Sequence, residues 1–222
     1  MRTALITIFL GAMGMAQAGT IVSNAGPIQG SLAVNEVAAS WTQADTWTNV
    51  SITLGLYNSG PNFDTDKIYL TNSLGPGTTA ANEVAVTTFG TAVLGNLTVP
   101  AFYGLTLGPG TYYLILERTS NELFFDGVRW GISPMATTTG PGVVDNGLLN
   151  AIGQSSGYAP ANNYTVAPYA PVFSVTGDQQ IATPTPEPST TALTGMVLFA
   201  AAILLMRRET LAGAGAALRR RF

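Results

Sequence analysis

Apolar and polar positions alternate with a period of two along much of the stretch from Gly19 to Thr176, which is the signature of half-buried strands. In residues 51–57, Ile52, Leu54 and Leu56 share one face, and Tyr103, Leu105 and Leu107 repeat the pattern. Residues 111–117 are nearly all apolar, as expected of a central strand covered on both faces. Further strands are predicted over 37–41, 67–70, 84–89, 97–99, 128–132 and 171–175, and no part of this region sustains a 3.6-residue period. Asn58-Ser59-Gly60-Pro61, Gly75-Pro76-Gly77, Gly108-Pro109-Gly110 and Gly140-Pro141-Gly142 punctuate the runs; Pro fixes φ and Gly supplies positive φ, so each marks a tight turn. The flanks of the three Gly-Pro-Gly triplets differ, which argues for recurrent turn chemistry and against a solenoid. About nine short strands at this spacing predict an all-β domain over 19–176, a β-sandwich of jelly-roll type. A closed β-barrel satisfies the same pattern.

Both ends depart from alternation. Residues 1–18 read as a secretory signal peptide: Arg2 opens it, an apolar run follows through Met15, and Ala16-Gln17-Ala18 supplies a small-x-small cleavage site before Gly19. After residue 176 the composition turns to Gly, Asp, Gln, Thr and Pro, predicting an extended linker over 177–185. Residues 189–206 then carry no charge; as a helix they span about 27 Å, just enough for the hydrocarbon core. Arg207 and Arg208 stop transfer and keep the basic tail, 209–222, in the cytoplasm. The expected topology is an outer domain held by one C-terminal span.

Pro186-Glu187-Pro188-Ser189, the apolar span and the Arg pair together resemble the PEP-CTERM sorting signal. That resemblance implies recognition of Pro186, Glu187 and Pro188 by an exosortase, a membrane cysteine protease of Gram-negative bacteria. It also implies cleavage near the motif and delivery of the domain to the cell surface or extracellular matrix. On this reading signal peptidase and exosortase are the processing partners, and the inner membrane is a transient anchor. Here the tail runs on past Arg208 to Arg219-Arg220-Arg221.

Charge narrows the partners. Only 9% of the 222 residues are charged, against about a quarter in a typical globular domain. Between Gly19 and Pro188 three bases (Lys67, Arg118, Arg129) face eleven acids, a net of −8. An acidic domain is a poor match for a phosphate backbone, so no nucleic-acid partner is expected. The chain has no cysteine and no histidine, which excludes disulfides, thiol chemistry, Cys or His metal sites and a Ser-His-Asp triad. No cofactor is expected.

Within the domain, Ala38-Ala39-Ser40-Trp41, Val50-Ser51-Ile52-Thr53-Leu54, Gly75-Pro76-Gly77-Thr78, residues 105–114 and Arg129-Trp130 resemble the choice-of-anchor R group, exported bacterial domains found with several C-terminal anchors. That resemblance implies no activity. Asn62, Asp64 and Asp66 place oxygens at alternate positions, a spacing that can wrap Ca²⁺, but Lys67 follows and no Glu closes the ring. A polar loop ahead of the strand at 67–70 accounts for them better. Glu117, Glu122 and Asp126, flanked by Arg118 and Arg129, offer carboxylates for glycoside hydrolysis or simply a solvated turn. Trp41, Trp47, Tyr57, Tyr103, Tyr112, Tyr113 and Trp130 would stack on sugars if exposed; strands also use aromatics for core packing. The sequence thus points to a non-enzymatic exported domain for adhesion or exopolysaccharide association. A carboxylate-pair carbohydrate-active enzyme and a purely structural matrix component are the alternatives.

Overall fold

The computed structural model describes residues 18–32, 36–60, 62–117, 127–151, 157–180 and 197–199. The chain divides into two units, Met1–Ile181 and Ala182–Phe222. The first is built almost wholly of antiparallel strands: β1 (Ala18–Asn24), β2 (Gly30–Leu32), β3 (Glu36–Gln43), β4 (Thr46–Asn58), β5 (Asn62–Thr71), β6 (Glu83–Thr91), β7 (Gly95–Leu107), β8 (Gly110–Glu117), β9 (Val128–Ile132), β10 (Thr138–Thr139), β11 (Val143–Ala151), β12 (Thr165–Ala167) and β13 (Phe173–Gln180).

They form two sheets. In the seven-stranded sheet β4 is the hub. One edge carries β7; the other is shared end to end by β13, paired with residues 46–54, and β9, paired with residues 56–58. Outside β13 lie β1 and then β10, and outside β9 lies β2. The six-stranded sheet runs β12-β11-β3-β8-β5-β6.

The alternation read from sequence sets the layers. Val50, Ile52, Leu54 and Leu56 of β4 join Val37, Ala39 and Trp41 of β3, Leu114 and Leu116 of β8, and Ile68 and Leu70 of β5 in one core, so the two sheets pack face to face. Trp41 of one sheet meets Phe173 of the other at a centroid distance of 6.4 Å, and Trp130 meets the same ring edge-on at 6.4 Å. All three tryptophans are buried, as core packing requires. The predicted central strand, β8, is covered on both faces: Ile115 packs with Ala38, Tyr69 and Ala159 in a second, smaller cluster on the outer side of its sheet.

Where β13 gives way to β9, backbones approach closely. The Val172 carbonyl accepts from Gly55 N at 2.8 Å and from Trp130 Nε1 at 2.9 Å, and Val172 N donates to Gly131 O at 2.8 Å. A β-carbon on Gly55 would lie 2.8 Å from Val172 Cβ and overlap its methyl group; this position needs glycine.

Several boundaries differ from the sequence reading. Strand β13 runs to Gln180, taking in the first residues of the stretch read as linker, because 178–180 pair with 46–48. Strand β1 begins at Ala18, which pairs with Asp178. The runs at 97–99 and 103–107 are one strand, β7, whose irregular register against β4 absorbs Pro100. In the second unit only residues 197–199 are described; they are helical, and among the described residues no helix is long and apolar enough to cross a membrane. The signal-peptide residue Ala16, the sorting residues Pro186, Glu187, Pro188 and Ser189, and Arg207 and Arg208 lie outside the described residues.

Replacing Gly55 by Ala should destabilise the domain by about 1–3 kcal/mol through overpacking against Val172. Urea unfolding checks this, and an unchanged midpoint would show that the junction has slack.

Candidate functional site

Two features of the sandwich bear on chemistry. The first is a cleft of about 640 Å³ to which both sheets contribute. Gln29 and Gly30 lead into β2, residues 132–134 leave β9, Gly147 and Leu148 belong to β11, and residues 167–170 pass from β12 towards β13. Short backbone bonds fix its lips: Gln29 N donates to Ile132 O at 3.0 Å and Ser133 N to Ala170 O at 3.0 Å. Gly147 sits at positive φ on a bulge in β11, where its N–H donates to Asp145 Oδ1 at 2.9 Å. Tyr169, 50% exposed, stands at the rim with Pro134, Pro168 and Gln29, also exposed. An aromatic face, proline surfaces and an amide are groups that pack on and hydrogen-bond a sugar ring.

The second feature is a pair of buried carboxylates. Glu36 at the start of β3 and Glu117 at the end of β8 are register partners, so their β-carbons lie about 4.5–5.5 Å apart. They are 1% and 8% exposed, on the outer side of the six-stranded sheet, the face that carries Ala38, Tyr69 and Ile115. Residues 157–164, with a 3₁₀ turn at Ala159–Ala161, roof this face. Asn162 Nδ2 donates to both Glu36 oxygens at 2.8 Å, and the Tyr164 hydroxyl lies 3.4 Å from Glu36 Oε2 and 3.2 Å from Ala159 O. Tyr69 donates to Glu117 Oε2 at 2.6 Å. The Tyr158 ring meets Tyr69 edge-on at 5.7 Å, and Gly75 N donates to Pro160 O at 2.8 Å, tying the roof to the 75–79 loop.

Phenols beside carboxylates resist ionisation. Burial, followed by the hydrogen bond to Glu117 and its charge, pushes the Tyr69 hydroxyl far up. Burial and then Glu36 do the same to Tyr164, and burial with Glu83 raises Tyr158. Two opposed carboxylates meet the first demand of glycoside hydrolysis, but catalysis also needs an open groove. Here the protein's own tyrosines and asparagine cover the pair.

The residues singled out from sequence are scattered. Of the acids read together, Glu117 stands against Glu36, while Glu122, Asp126 and Arg118 lie outside the described residues. The side chains of Asn62 and Asp64 are likewise outside them; the backbone from Asn62 belongs to strand β5, not a loop. Asp66 is fully buried in that strand, on the side of Ile68 and Leu70. Among the described residues no three acidic side chains gather as a metal cluster would. Of the aromatics, Tyr103 is 65% exposed, whereas Tyr112 and the tryptophans are buried. Sequence reasoning missed Glu36, Tyr69, Asn162, Tyr164 and Tyr169; the one available hint was an acid, Glu36, abutting a predicted strand in a chain with few acids.

No protein-family model, no curated protein and no solved structure matches this chain.

The raised phenols set a sign for alkaline stability. A group neutral in the fold with a raised pKa contributes fully below its unfolded value, about 10, and loses that contribution as pH climbs further. Stability should therefore fall steeply above about pH 10, and Tyr69→Phe should flatten the fall while costing stability at neutral pH. Urea midpoints across pH 7–11 check this; equal slopes for the two proteins would remove Tyr69 from the account.

Proposed function

We propose that this chain is an exported surface or matrix protein whose β-sandwich associates with polysaccharide without acting as an enzyme. The observation that carries the reading is the rim of the large cleft, where Tyr169, Pro134, Pro168 and Gln29 meet beside exposed backbone. The strand orders β1-β13-β4-β7 and β3-β8-β5-β6 support a jelly roll, two nested Greek keys with β2, β9, β10, β11 and β12 added. The −8 domain charge favours neutral or cation-bridged glycans over phosphate-rich partners. The sorting signal read at Pro186-Glu187-Pro188-Ser189 supplies the route, through signal peptidase, the inner membrane and an exosortase to the outside of a Gram-negative cell.

The enzyme reading has one observation in its favour, the opposed Glu36 and Glu117. It requires the 157–164 roof to leave, breaking the bonds from Asn162 and Tyr164. The binding reading requires no rearrangement.

Affinity electrophoresis through polysaccharide extracted from the native host's matrix tests the site. Tyr169→Ala should weaken retention about tenfold, equivalent to about 1.4 kcal/mol. Equal retention of variant and parent would move binding elsewhere, and turnover of the polysaccharide abolished by Glu117→Gln would favour the enzyme. Intact-mass analysis of protein from the host's surface or medium tests the route: the expected species starts at Gly19 and ends near Pro188. A species retaining residues 191–222 would sink the sorting proposal.

A further inference from the structure

We infer that strand β6 is a self-association edge, along which a second copy of this chain adds its own β6 antiparallel to form one continuous sheet. Among the described residues β6 pairs only with β5, and it ends the six-stranded sheet. The other terminal strands are poor templates. β2 and β12 have three residues and β10 two, while β7 carries Pro100 and three register breaks against β4. Short edges, prolines and bulges are how proteins prevent edge-to-edge pairing.

Strand β6 is guarded less: it is long, and its register against β5 shifts only at its two ends, at Val84 and beyond Phe89. It is nine residues long, Glu-Val-Ala-Val-Thr-Thr-Phe-Gly-Thr, without Pro, Lys or Arg, and its register against β5 is regular from Ala85 to Phe89. Val84 and Val86 are exposed on its outer side, while Ala85 and Phe89 pack towards the core and hold the strand in place. Natural edges of this length normally carry an inward charge or a lysine to block addition of another strand.

The charge and the flanks select the occupant. Glu83 is the only charge on β6 and stands at one end. Antiparallel two-fold pairing centred on Thr87 sets each Glu83 against Thr91 of the second copy, keeping the two carboxylates about 27 Å apart. Parallel in-register pairing would stack them. In the antiparallel register Val86 faces Thr88 of the second copy and Val84 faces Gly90. The exposed Val93 and Leu94, in the connection that carries the chain from β6 across to β7 in the other sheet, then flank the seam near the exposed Ala80 and Ala81 of the second copy. The contact is isologous, as a closed dimer requires. One strand seam with two small apolar flanks falls at the small end of interfaces, below about 1,200 Å². The dimer should therefore be weak in dilute solution and fill where copies are concentrated at a surface. This inference does not depend on polysaccharide binding.

Sedimentation velocity of the full chain in neutral-detergent micelles, over a hundredfold concentration range, tests it. The parent should show a concentration-dependent dimer. Val86→Lys and, independently, Val84→Lys should weaken it at least tenfold, with circular dichroism of each variant unchanged. Val144→Lys, at an exposed valine on β11, should leave the dimer intact. Combining Val86→Lys with Thr88→Glu in one chain should restore it, because those positions face each other across the seam. A chain that stays monomeric throughout, or a dimer that neither Val86→Lys nor Val84→Lys weakens, would overturn the inference.

Discussion

The carbonyl oxygen of Val172 accepts two hydrogen bonds, from Gly55 N and Trp130 Nε1, and the arrangement of the seven-stranded sheet depends on that point. Strand β4 is long enough for two partners on one edge, and something must decide where the first ends and the second begins. Glycine at 55 lets the Val172 backbone come within bonding distance, and the buried indole of Trp130 is satisfied by the same oxygen. A buried Trp N–H without a partner would cost about 1–3 kcal/mol, so the second bond matters as much as the first. With Val172 fixed, β13 runs one way along β4 and β9 occupies the remainder. Phe173, the next residue, is thereby aimed between Trp41 and Trp130, which locks the sheets together.

The cleft follows from the same junction. To reach Val172 from β12, the chain must leave the six-stranded sheet and cross to the other over residues 168–171. Main chain in transit between sheets cannot join either ladder along its length, so it lies at the surface, and the space it spans is the cleft with Tyr169 at its rim. Ser133 N reaches back to Ala170 O and holds the crossing segment against the end of β9. The sugar platform proposed at this rim would be held beside the crossover by sheet hydrogen bonds on both sides, and so preorganised.

Much of the fold was legible because period-two alternation reports one buried face directly. Ile52, Leu54 and Leu56 announced β4, and the unbroken apolar run at 111–117 announced a strand covered twice. Strand β11 was missed because Asp145, Asn146 and Gly147 interrupt it with a bulge, and a bulge shifts alternation out of phase. Strand β1 was missed altogether; its first residue, Ala18, also fits the end of a signal peptide. The carboxylate pair was not legible at all. Glu36 and Glu117 are far apart in sequence, and only the β3–β8 register brings them opposite each other. Local charge clustering pointed instead to Glu117 with its sequence neighbours, the one relation that antiparallel pairing does not reveal.

That pair explains why a chain so poor in charge keeps two acids buried on one sheet. At the glutamate ends of β3 and β8 the residues on both faces are apolar, so the hydrophobic pattern there specifies register weakly: a one-residue slip exchanges Ala38 with Ala39 and Leu114 with Ile115 at little local cost. The glutamates remove that degeneracy. In the native register both lie on the outer side, where Asn162 and Tyr69 donate to them. Slipping one strand by a residue would turn its glutamate into the main core among Val37, Leu116 and Ile68, with no donor there, at a cost of several kcal/mol. The roof residues that satisfy the acids thus also penalise a one-residue slip, and fixing that register fixes the position of β5 and, beyond it, the exposed edge of β6.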